Sequence, residues 1–187
     1  MERKERADAA RNRAAILRAA EELLREHGPD HVSVELVAQA AGVGKGTVFH
    51  RFGSRSGLMR ALIEERVQVL RDAFTSGPPP LGPGAAARDR LAAFFDAVLD
   101  LATRNVALMA AYERAEDGER QAGIVYQTWH HHVSTLIAEC RPDFDADLLA
   151  HILLGSLHTD LVVHLVRQGE SARLAATVRQ LVTALVG

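Results

Sequence analysis

An all-α fold is what this sequence predicts, on three observations. Only 5% of its 187 residues are aromatic, Ala and Leu abound, and no run shows the period-two alternation of a half-buried strand. Apolar residues recur instead at three- and four-residue spacing, the mark of amphipathic helices. The breaks between those runs carry Gly and Pro. With 48% hydrophobic and 25% charged residues, wholesale disorder is excluded, and the length suits one domain or two small ones.

The elements follow in order. From Arg11 to His27, Ile16, Ala20 and Leu23 share one helical face, joined by Leu17 and Leu24; Gly28-Pro29 ends that helix. The N-terminal arm (Arg3, Lys4, Arg6, Arg11, Arg13) reads either as a basic contact to a nucleic-acid backbone or as a frayed, solvated tail. Ser33 is placed to cap a short helix, Val34 to Ala41, with Glu35 at its positive end and Leu36, Val37 and Ala40 buried. Gly42-Val43-Gly44 makes a tight turn, in which Gly42 needs positive φ and Val43 plugs the core. Lys45 to Phe52 is a second short helix. After Gly53-Ser54, a long helix runs from Arg55 to about Phe74, with Leu58, Met59, Leu62, Ile63, Leu70 and Phe74 inward. Residues 76–84, SGPPPLGPG, hold four of the six prolines and cannot be helix or central strand. They separate an N-terminal domain, 8–75, from a C-terminal domain, 85–187.

Two short helices joined by a glycine-bearing turn, with small Ala38 at their crossing, make the helix-turn-helix plan, which a generic helical hairpin shares. The run VSVELVAQAAGVGKGTVFHRFGSRSGLMRAL resembles the DNA-binding signature of the TetR/AcrR family of transcriptional regulators. The resemblance rests on Ala38, Ala41-Gly42-Val43, Gly46-Thr47, Phe49 and Phe52, Ser54-Arg55 and Leu58, within residues 10–65. It implies a three-helix DNA-binding domain followed by a helical, ligand-binding and dimerising one.

A recognition helix enters the major groove by its N-terminal end, here Gly44, Lys45, Gly46 and Thr47. Lys45 and Thr47 are the expected contacts to phosphate or base edges, and His50, one turn on, is a further base candidate or a solvated surface histidine. Ser33 and Arg55 each begin a helix and flank the recognition helix as phosphate contacts. The family usually has Tyr where this chain has Phe49, so a hydroxyl contact is lost there and only apolar contact or packing remains. One such module reads few base pairs; a homodimer on a palindromic double-stranded operator, with half-sites about 34–36 Å apart, is the physical expectation.

The C-terminal domain carries further helices. Asp89 to Thr103 bears Leu91, Phe94, Phe95, Val98 and Leu101; Asn105 to Ala115 bears Leu108, Met109 and Tyr112. Glu119 to Cys140 has two adjacent rows, one through Ile124, Thr128, His132 and Leu136, the other through Val125, Trp129, Val133 and Ile137. Asp143 is placed to cap a long helix to about Gln168, and Ser171 to cap the last. Those two helices are apolar over more than one stripe, which fits a four-helix interface between two protomers near Leu153, Leu157, Leu161, Val178, Leu181 and Leu185, or an ordinary monomer core. Phe94, Phe95, Val98, Met109, Tyr112, Trp129, His132 and Val133 are candidates to line a small-molecule effector pocket, and core packing accounts for each of them equally.

No GxSxG, Walker, GxGxxG or HExxH pattern is present, so an enzyme is not expected, and no cofactor is implied. Six of nine histidines lie in the C-terminal domain. His130, His131 and His132 point in different directions, His151 and His158 are roughly 10 Å apart along a helix, and Asp160 with His164 needs further ligands. Solvated or pocket histidines are therefore expected rather than a metal site. A single cysteine, Cys140, and a charged N-terminus without an apolar core suit the cytoplasm. The longest uncharged stretch, 121–138, carries two Gln and three His and is no membrane span.

The overall charge of -2 hides a division. Residues 1–75 hold 13 basic and 11 acidic groups, while 76–187 hold 9 and 13. Within 31–60, Lys45, Arg51, Arg55 and Arg60 face one acid, Glu35. The positive excess sits where phosphate would be met. A ligand-responsive repressor is thus the expected function; the alternative, a helical scaffold or ligand-binding protein without DNA binding, leaves Gly44-Lys45-Gly46-Thr47 unexplained.

Overall fold

The computed structural model describes residues 2–28, 31–106, 108, 123–157 and 159–187, and all regular structure among them is helical. The chain forms two compact units, Met1–Glu65 and Arg66–Gly187. The division falls within a continuous helix, N-terminal to the proline-rich run.

The first unit holds α1 (Glu2–His27), α2 (Val34–Ala40), α3 (Lys45–Phe52) and the start of α4 (Arg55–Ser76). α1 begins well ahead of Arg11, so the basic arm is helical. Ala9 and Ala10 are strong helix formers, and Asp8 pairs with Arg11 one turn on. Ile16, Leu17, Ala19 and Ala20 are buried on α1. Ser33, in extended conformation, accepts the Leu36 N–H at 3.2 Å and caps α2 as expected.

The buried side of α2 differs from expectation. Val34, Val37 and Ala38 are inside, whereas Leu36 and Ala40 are exposed. The inward set follows i, i+3, i+4 from the first residue of the helix; counting from Leu36 put the stripe on the wrong side. Gly42, at φ 66°, closes the turn, with the Val43 N–H reaching the Ala38 carbonyl at 3.0 Å. Val43 is half-buried beneath it.

The second unit continues α4 and adds α5 (Ala87–Arg104), α6 (Ile124–Cys140), α7 (Ala146–Ser156), α8 (Thr159–Arg167) and α9 (Ser171–Val186). Its core gathers Leu70 and Phe74 from α4; Leu91, Phe94, Phe95, Val98 and Leu99 from α5; Val133, Leu136 and Ile137 from α6; and Ala150, Leu153, Leu154, Val162, Leu174, Val178 and Val182 beyond. Phe94 sits at the centre, edge-on to Phe74, Phe95 and Trp129 at centroid distances of 5.5, 5.6 and 5.9 Å. Burying such a ring contributes about 1.5–3 kcal/mol, and its edge contacts add to that.

Three C-terminal expectations are corrected. The stretch 143–168 is two helices, broken at Leu157. Gly155 lowers helix propensity there, and the Ser156 hydroxyl donates to the Leu153 carbonyl at 2.7 Å, competing with the ladder. Asp145, rather than Asp143, caps α7 by accepting the Leu148 N–H at 3.1 Å; Asp143 forms a two-point pair with Arg141. Ser171 is the first residue of α9, and Glu170 holds the cap position. Of the predicted helix 105–115, Met109 and Tyr112 lie outside the described residues, as does the start of the stretch from Glu119.

Candidate nucleic-acid interface and ligand cleft

α3 is held by one apolar anchor. Val48 is 1% exposed and Phe52 is half-buried, while Lys45, Gly46, Thr47, Phe49, His50 and Arg51 all face solvent. A helix that leaves this much of its surface bare offers it to a partner. At its N-terminus Gly44 caps without a side-chain bond; its carbonyl accepts the Thr47 N–H at 2.9 Å, and the first turn carries the positive end of the helix dipole.

Lys45 is engaged in two ways. Its ammonium pairs with the exposed Glu35 carboxylate on α2, and it stands 5.5 Å over the Phe49 ring. The Lys45 hydrogen bond holds the Glu35 carboxyl below its usual range, so that carboxylate is ionised near neutrality. Such an exposed pair contributes little to stability. Phe49, lacking a hydroxyl, serves as a platform for the lysine stem.

The flanking residues come together behind α3. Arg55 Nε donates to the Val32 carbonyl at 2.7 Å, which ties the start of α4 to the residue before Ser33. Ser54 Oγ accepts the Gly57 N–H at 3.0 Å and caps α4. Sequence reasoning missed this cap and the Glu35–Lys45 pair; Ser54, one residue before a long amphipathic run, was the available signal.

In the second unit a cleft of about 560 Å³ is lined by Arg71, Phe74 and Thr75 of α4, Arg90 of α5, and Gln127, Thr128, His131, His132, Thr135 and Leu136 of α6. Of the expected pocket residues that are described, only His132 lines it. Phe94, Phe95, Val98 and Val133 are buried in the core, and Trp129 packs half-buried against Phe94. Arg71 and Arg90 were not foreseen, because a charge beside an apolar stripe reads as a solvated helix face.

His132 stacks on Phe74 at 4.3 Å, and its buried Nε2 has no hydrogen-bond partner among the described residues; the same holds for Trp129 Nε1. Burial, then the Arg90 and His131 charges, push the His132 pKa down to about 4, so the ring is neutral at physiological pH. A buried, unsatisfied nitrogen costs about 1–3 kcal/mol, which an incoming hydrogen-bonding group would recover.

The residues expected at a dimer interface separate by exposure. Leu161 and Leu181 are 45% and 49% exposed; Leu157 and Leu185 are half-buried; Leu153 and Val178 belong to the core. No single helix among the described residues is long and apolar enough to cross a membrane.

Capped α2, glycine turn and singly anchored α3 define a helix-turn-helix DNA-binding domain. Residues 16–62 match the model of the bacterial regulatory proteins of the tetR family. The whole chain has the fold of TetR-family regulators. It is similar to the transcriptional regulator FadR from Bacillus subtilis in complex with stearoyl-CoA (18% identity, 93% of this chain and 99% of that one, TM-score 0.67). It is likewise similar to the fatty acid degradation regulator FadR from Bacillus halodurans (20% identity, 93% and 98%, TM-score 0.64). A TetR/AcrR-family regulator from Thermobifida fusca matches at 19% identity over 94% and 97%, with a TM-score of 0.67. No curated protein matches the chain.

Proposed function

We propose that the protein is a homodimeric transcriptional repressor that binds a palindromic double-stranded operator through α3 and leaves it when a small-molecule effector occupies the second unit. The observation that carries the reading is the exposed face of α3, with Lys45 and Thr47 in its first turn, His50 further along and one apolar anchor behind. Ser33, Gly44 and Arg55 add backbone-phosphate contacts, and Phe49 steadies Lys45. The exposed Leu161 and Leu181 support pairing through α8 and α9.

The cleft supports an effector with an apolar part and an anionic or hydrogen-bonding head. Phe74 and Leu136 serve the first; Arg71, Arg90 and the unsatisfied His132 nitrogen serve the second. Stearoyl-CoA, bound to the Bacillus subtilis FadR, is a ligand of that general character. Repression ends by differential affinity: the effector favours the arrangement of the two reading heads that fits the operator worse. α4, which runs from one unit into the other, is the natural lever.

The test is DNA binding across a salt series with the wild type and Lys45→Ala/Thr47→Ala. Losing one lysine–phosphate contact per protomer lowers the slope of log K against log salt by about 1.8 in a dimer and weakens binding roughly 30-fold at 0.15 M salt. Unchanged affinity in a folded double variant would place the reading head elsewhere.

A further inference from the structure

Two facing stripes at the α6–α7 corner bring together residues the DNA-binding reading does not use. Tyr126 and His130 lie one turn apart on α6; Asp147 and His151 lie one turn apart on α7. The His130 and His151 rings face each other with centroids 3.9 Å apart. Tyr126 stands against both, at 6.1 and 5.8 Å, and its hydroxyl is 2.6 Å from His151 Nδ1. The Asp147 carboxylate is 3.6 Å from His130 Nε2, whose nearer contact is the Asp147 carbonyl at 3.1 Å. One donor atom from each of His130, Asp147 and His151 lies within 4.8 Å of the other two.

We propose that His130, Asp147 and His151 form a binding site for a divalent cation of the zinc class, which staples α6 to α7. Two imidazoles and one carboxylate are a donor set that zinc accepts, with water as the fourth ligand, whereas magnesium and calcium favour oxygen alone. Donors around a tetrahedral zinc stand roughly 3.4 Å apart, given bonds of about 2.0–2.1 Å. The three groups therefore close by about 1 Å or a little more. The Asp147 side chain is 78% exposed and turns without disturbing the core. With Nδ1–H donating to the Tyr126 oxygen, His151 keeps the Nε2 lone pair for the ion, and the phenol holds the ring in place. Because α6 also supplies Gln127, Thr128, His131 and His132 to the cleft, an ion here fixes one wall of that cleft against α7. The site stands on the geometry of these two helices and does not depend on operator binding.

The metal-stripped full chain is titrated with ZnCl₂, and with CoCl₂ as a spectroscopic stand-in; MgCl₂ is the control. One zinc per chain is expected, with a rise in Tm of roughly 5–10 °C at a hundredfold excess over Kd, and a visible cobalt spectrum of four-coordinate intensity. Asp147→Asn, an exposed change that leaves packing intact, should lower zinc affinity at least tenfold, and His130→Ala/His151→Ala should abolish the cobalt band. Absence of saturable zinc binding in the wild type overturns the proposal. So does wild-type affinity in Asp147→Asn and in His151→Ala, which would put the ion on other histidines, or equal binding of magnesium.

Discussion

Lowering the pH should destabilise this protein through His132 in a way that can be worked from its surroundings. The ring is stacked on Phe74, tilted against Phe94 at 5.1 Å, and faces Arg71 of α4, Arg90 of α5 and its neighbour His131 on α6. Burial first, then electrostatic interaction with Arg90 and His131, lowers its pKa from 6.5 to about 4. Above pH 6.5 the ring is neutral in folded and unfolded chains alike and contributes nothing. Between about 6.5 and about 4 the unfolded chain binds a proton that the folded one refuses, so stability falls as the pH falls; below about 4 the loss is constant. At pH 5 these two values give about 2 kcal/mol, and solvent access through the cleft reduces that to ~1 kcal/mol. Urea unfolding at pH 8 and pH 5, at fixed protomer concentration, reads it against His132→Asn. Other groups titrate in both proteins, so the difference between the two pH-dependent losses isolates the ring: the variant should lose ~1 kcal/mol less. Equal losses, or a His132 ring signal titrating near 6.5 by NMR, would refute the reasoning that burial controls this ring.

Two further outcomes follow from the first unit. Glu35→Gln removes the carboxylate that pairs with Lys45 and its repulsion of phosphate, so operator affinity should rise roughly two- to fivefold in a mobility-shift titration; weaker binding would show that the pair positions Lys45 for DNA. Gly42→Ala places a Cβ on a residue at φ 66°, in open space, so backbone conformation alone is penalised; thermal unfolding should show a loss of about 1–2 kcal/mol, with Gly42→Asn losing less.

The reading head was legible because its requirements are local. Ser33 must precede the first turn it caps, and Gly42 must sit at the left-handed residue; both show in sequence as residue type at fixed spacing. The inward face of α2 was less legible, since seven residues make barely two turns and Leu36 competes with Val34 as the start of the stripe. The break at Leu157 was hidden for a related reason: Gly155 and Ser156 weaken a helix without forbidding it, and the outcome depends on what the flanking turns pack against.

Periodicity, with Gly and Pro at the breaks, determined the all-α class, the helix-turn-helix and the proline-rich break, because helix, turn and cap depend on neighbours within about four residues. The sites of the second unit were decided by tertiary structure. Sequence could count Phe94, Trp129 and His132 as equals, yet only packing sends the first to the core centre, the second to its edge and the third into the cleft beside Arg71 and Arg90. Asp147 and His151 share the spacing of Asp160 and His164, but only the fold of α6 onto α7 brings a third donor, His130, to the first pair. Contacts between helices far apart in sequence leave no period to read, since each depends on how two faces meet and not on either face alone.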